Sequence, residues 1–149
     1  MRAVVQRVSR ASVKVSDEIV GKIGPGMCVL VGVGDDDTID DARSLANKVV
    51  GLRIFSDADD KMNLSLLEVG GQLLAVSQFM LHGDVRKGKR PSFVKAMAPE
   101  PAKELFEIFV SACREEGAFV ETGRFRASME VEIIGDGPVT VLVDTKRTF

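Results

Sequence analysis

Residues 27–33, Met-Cys-Val-Leu-Val-Gly-Val, carry no polar side chain. An apolar run with no alternation reads as a strand covered on both faces, and that demand constrains everything else the chain can do. One covering layer is legible. In "DDDTIDDARSLANKVVGL", Ile39, Ala42, Leu45, Ala46, Val49 and Val50 recur at helical spacing. Thr38 with Asp41 fits a capping box, and Asp40 and Asp41 suit the positive end of the helix dipole. In "EPAKELFEIFVSACREEG", Leu105, Phe106, Phe109, Ala112 and Cys113 form a second stripe, closed by Gly117. The remaining apolar segments predict strands. "AVVQRVSRASVKV" is one that bends near Ser9. "EIVGKIGPGMCVLVGVG" is two, around Gly24-Pro25-Gly26. "QLLAVSQFML" is another, and "SMEVEIIGDGPVTVLVDT" is two joined at Gly135 to Pro138. The expected architecture is a single α+β (mixed α/β) domain over residues 1–149, its sheet covered by two helices on one face. The other face must be buried too, and a partner subunit is one candidate.

Composition narrows the function. The chain has 149 residues, 45% hydrophobic and 28% charged, with a net charge of -2. Any grip on nucleic acid must therefore come from a local patch. No apolar run reaches the ~20 residues that span a bilayer, and "MRAVVQRVSRASVKV" lacks a signal-peptide core. Cys28 and Cys113 form no metal-spaced pair, so a reduced, cytoplasmic setting is the simplest expectation. Trp and Tyr are absent, leaving only Phe as a stacking platform.

Several motifs fail on physical grounds. "GVGDDD" has glycines that could cradle phosphate, but three aspartates would repel it. "DADDKMN" lacks the glycine and distal glutamate of a calcium loop. His82 has no second ligand for a metal. Neither metal nor cofactor is expected. Three stretches survive. Ser77-Gln78-Phe79 places polar residues inside an apolar strand, although outward-facing positions would explain them equally. Arg86, Lys87, Lys89 and Arg90 crowd a glycine-containing loop that could hold a phosphate backbone. "GDGPVT" reads as a hairpin, yet a proline cannot donate to the ladder.

Together these stretches resemble the D-aminoacyl-tRNA deacylases of the bacterial and eukaryotic type, nearly end to end. The matching blocks are "QRV" with Arg7, "GVG" at 32–34, "RIFSD" at 53–57, "KMN" at 61–63, "VSQF" at 76–79, "RPSF" at 90–93, "TGRF" at 122–125 and "DGPVT" at 136–140. One departure stands out: the family motif usually continues Ser-Gln-Phe-Thr-Leu, and here position 80 is Met. The resemblance implies hydrolysis of the ester between a D-amino acid and the terminal adenosine of tRNA. It implies a homodimer with the active site at its interface and no membrane association. It also implies a cis Gly137-Pro138 bond that reaches into the partner's pocket, where Ser77, Gln78 and Phe79 line the site. Arg7 would support the Gly-Pro element, and Met80 would line or support the pocket.

A stiff main-chain wall at Gly137 and Pro138 would reject L substrates and, by the same logic, admit glycyl-tRNA. Ser77 has no evident base, so the expected chemistry is oxyanion stabilisation by backbone N–H groups near Phe79. The free 2′-OH of the terminal ribose would then help to orient water. Two rival classes are kept: a serine esterase using Ser77, and a non-catalytic nucleic-acid-binding module, since some family members are linked to DNA-replication factors.

Overall fold

The computed structural model describes residues 1–149. Its centre is a mixed six-stranded sheet. The strands are β1 (Arg2–Val15), β2 (Glu18–Ile23), β3 (Gly26–Gly32), β6 (Gln72–Ser77), β7 (Phe119–Thr122) and β8 (Glu130–Asp144). A small hairpin, β4 (Phe55–Ser56) and β5 (Met62–Leu64), stands apart. The helices are α1 (Ile39–Gly51) and α2 (Pro99–Glu115). As the sequence predicts, the Asp41 carboxylate accepts the Thr38 N–H at 2.9 Å, and Gly117, at φ +104, closes α2.

β1 organises the sheet. β8 runs antiparallel along its whole length, from Arg2↔Asp144 to Lys14↔Glu130. Its other edge is shared: β3 pairs with residues 2–8 and β2 with residues 11–15. The irregularities that let one strand serve both lie between Gln6 and Arg10, around the bend expected at Ser9. Beyond the bend, the β1–β2 corner folds back over β6 and β7. A Cβ on Gly21 would sit 2.3 Å from the Thr122 carbonyl oxygen.

This corner explains how β3 is covered twice. Met27, Val29 and Val31 face a 25-residue core shared with both helices. Cys28, between them, faces a second cluster with Val8, Ala11, Val13, Ile23, Leu74 and Val76. The chain therefore covers part of the second face itself. What stays open is β8, none of whose residues is buried. Both cysteines are free and buried, and burial pushes their thiols up to about 12, so neither is a nucleophile.

Two predicted boundaries differ. Residues 130–144 are one strand, not a hairpin. Both halves pair with β1 in the same direction, and residues 136–139 bulge out opposite Arg7, between Gln6↔Thr140 and Val8↔Gly135. A bulge leaves residues outside the ladder, where the missing N–H of Pro138 costs nothing. The strand expected over 72–81 stops at Ser77, because the Gln78 side chain accepts the Met80 N–H and starts a 3₁₀ turn, Phe79–His82. The short β7 and the β4–β5 hairpin escaped the sequence reading altogether.

Gly21→Val should destabilise the fold by about 1–3 kcal/mol, because β2 cannot approach β7 with a side chain in place. Urea denaturation measures it; an unchanged midpoint would show that the corner is not held against β7.

Candidate active site

β6 lies between β3 and β7 and runs parallel to both, with Val31 opposite Ser77. The carboxyl ends of parallel strands leave a crevice where chains diverge. Here it is a pocket of about 780 Å³, lined mainly by apolar residues. Ser77, Gln78 and Phe79 line it together. Phe93, Phe125 and Arg126 join them. These three went unnoticed as site residues, although they fall in or beside the "RPSF" and "TGRF" blocks. Phe93 meets Phe79 edge-on at 5.0 Å. Arg126 is the pocket's one charged lining residue, and its φ of +64 is unusual for a side-chain-bearing residue.

The backbone at the strand end is nearly spoken for. Val31 accepts the Gln78 N–H at 2.7 Å, and the Gln78 side chain accepts that of Met80. The Phe79 N–H begins the turn, where the ladder supplies no acceptor. Ser77 has no base beside it: His82 lines a different, polar cavity with Arg2, Asp37 and Asp144. Burial lowers the His82 pKa, and its Nε2 is buried without a hydrogen-bond partner. Met80 is 57% exposed and lies outside the pocket lining. No group of three or more His, Cys, Asp or Glu residues could hold a metal ion.

Arg7 is built into the β8 bulge. Its Nε donates to the Asp136 carbonyl at 3.1 Å and its Nη1 to the Ile54 carbonyl at 2.8 Å. Its Nε also lies 3.4 Å from the Asp136 carboxylate. The Gly137–Pro138 bond is cis, and Gly137 has φ +129. A Cβ there would meet Val139 at 2.9 Å and Arg7 at 3.2 Å. Both residues are exposed, and neither lines the pocket that holds Ser77. A single chain does not bring the two elements together.

The basic loop is stapled at its base by paired backbone bonds between Asp84 and Ser92. Arg86 is spent locally: it pairs with Asp84 at 2.6 Å and holds that carboxyl well below the usual carboxylate range. Lys87, Lys89 and Arg90 are exposed and enter no ion pair within 4.0 Å.

Comparison with known proteins places this chain in a class of enzymes, the hydrolases that act on an ester bond. The chain belongs to the D-Tyr-tRNA(Tyr) deacylase family, whose model matches residues 4–144. It is 60% identical to a D-aminoacyl-tRNA deacylase of Koribacter versatilis and 57% identical to one of Clostridium perfringens, each over 149 residues and the full length of both chains. Among solved structures it resembles the c-Myc DNA Unwinding Element Binding Protein, with TM-score 0.93 and 38% identity over 97% of this chain and 99% of that one. A probable eukaryotic D-amino acid tRNA deacylase shares the fold, with TM-score 0.80 and 21% identity over 95% of this chain and 97% of that one.

Arg7→Lys keeps the charge but loses the fork that reaches both carbonyls. It should lower stability by about 1–3 kcal/mol and speed hydrogen exchange selectively in residues 136–140. Uniform exchange rates across β8 would show that Arg7 does not hold the bulge.

Proposed function

We propose that residues 1–149 act as one deacylase domain that hydrolyses the ester joining a D-amino acid to the terminal adenosine of tRNA. The observation that carries this reading is the pocket at the end of β6. It places the opening of a 3₁₀ turn at Phe79 next to a serine without a base, so it is suited to polarise an ester through the main chain but not to attack one. Water adds to the carbonyl carbon, the carbon–oxygen bond to the ribose breaks, and the proton ends on the departing ribose hydroxyl. The 2′-OH beside the ester orients that water at little entropic cost. One oxyanion donor contributes about 3 kcal/mol.

The enzyme works as a homodimer. A fifteen-residue strand with no buried residue is an open edge that proteins ordinarily cover. The separation of Gly137-Pro138 from Ser77 within one chain favours delivery from a partner, where their main chain forms the wall that excludes L side chains. Glycine, lacking a side chain, passes. Met80, exposed in one chain, sits where a partner could cover it. Lys87, Lys89 and Arg90 contact the tRNA backbone, with Arg86 contributing less. No helix is long and apolar enough to cross a membrane, which accords with a tRNA-handling enzyme of the cytoplasm. The name of the 38%-identical neighbour favours one alternative, nucleic-acid binding without catalysis.

Purified protein should hydrolyse D- but not matched L-aminoacyl-tRNA, and changing Pro138 should erode that preference; binding without hydrolysis would select the alternative. Ser77→Ala should retain substantial activity, whereas a substrate ending in 2′-deoxyadenosine should bind yet react very slowly. The opposite pair of results would make Ser77 the nucleophile. Met80→Ala should cost little activity in a folded dimer. Neutralising Lys87, Lys89 and Arg90 should weaken tRNA binding and reduce its logarithmic salt slope by roughly one per lost contact; an unchanged slope would leave the loop as solvated surface.

A further inference from the structure

Phe125 separates the apolar pocket from a neighbouring recess. On its far side a second groove, of about 540 Å³, runs between α2 and the end of β7. Phe125 lines both cavities, so the two adjoin at its ring. One wall is a helical stripe of α2 that includes Lys103, Glu107, Ser111 and Arg114; the other is the segment from Thr122 to Phe125. Lys103 to Arg114 spans eleven rises of 1.5 Å, or about 16 Å. Phe106 and Phe125, with ring centroids 6.3 Å apart, form its apolar floor.

The charge of this groove is mainly positive. Lys103, Arg114 and Arg124 line it, against one carboxylate, Glu107. None of the three makes an ion pair within 4.0 Å, and neither does Arg126 at the pocket lip. Arg114 donates one bond to the Val120 carbonyl at 2.9 Å, which fixes it at the groove's end with most of its five donors unspent. In the cavity around His82, by comparison, Arg2, Arg86 and Lys146 are paired with carboxylates and Lys95 is not. On a chain of net charge -2, unpaired cations aligned in a recess beside an apolar pocket are a local feature. Cations along an apolar channel are the elements that hold single-stranded nucleic acid. A recess of this length suits a single strand, while the projecting loop at 86–90 suits a duplex.

We propose that Lys103, Arg114 and Arg124 bind the phosphates of the single-stranded 3′ end of tRNA, leading its terminal nucleoside past Arg126 into the pocket. The proposal rests on the deacylase reading for its substrate but is tested apart from it. Lys103→Ala/Arg124→Ala should weaken binding of unacylated tRNA about tenfold and reduce its logarithmic salt slope by about 1.4, two single-strand phosphate contacts. The loss of kcat/KM should be at least tenfold greater on D-phenylalanyl-tRNA than on the D-phenylalanyl ester of adenosine, which has no phosphate. Lys103→Arg/Arg124→Lys, which keeps both charges, should restore tRNA binding. Removing the single-stranded 3′ nucleotides from the tRNA should abolish the difference between wild type and the alanine variant. An unaltered slope, equal losses on both esters, or a difference that persists on the shortened tRNA overturns the proposal. Wild-type protein that cleaves neither ester overturns the deacylase reading instead, and the binding measurements then decide the groove alone.

Discussion

The pairing of one fourteen-residue strand with three others is the constraint on which the molecule depends. β1 serves β3 with its first half and β2 with its second, so it must bend, and the bend lets the β1–β2 corner close over the sheet. The same irregularity leaves Arg7 opposite four looped-out residues of β8. One backbone event therefore produces both the second core and the bulge that presents Gly137 and Pro138. The guanidinium of Arg7, bonded to two carbonyls from separate segments, ties that bulge to the body of the fold.

The site follows from a different feature, the parallel arrangement of β3, β6 and β7. Their carboxyl ends coincide, and the chain leaves β6 through a 3₁₀ turn that opens at Phe79. Side-chain chemistry contributes little, because the one histidine faces another cavity and the cysteines are buried in separate cores. On the deacylase reading proposed above, such a pocket depends on main-chain position and on its substrate. That is a physical reason for it to tolerate methionine at position 80, whose thioether can act neither as nucleophile nor as base.

Much of this was legible in the chain. The run 27–33 demanded two covering layers, and both were found, though one came from the β1–β2 corner. The helices announced themselves by period and caps, because those signals are local. The hairpin expected at Gly135–Pro138 misled: Asp-Gly marks a reversal only where the flanking strands pair with each other, and here both pair with β1. β7 was invisible because four residues with one buried side chain carry no usable period.

The sequence by itself determined the elements, the apolar faces and the block pattern that ties this chain to its family, since each is written in neighbouring residues. Tertiary structure alone decided which residues share a cavity. Phe125 and Arg126 lie some fifty positions from Ser77 and join it only because β7 docks beside β6. His82, five positions away, is carried to the other cavity by the turn. Proximity in space is set by strand pairing between distant segments, and no local pattern encodes it.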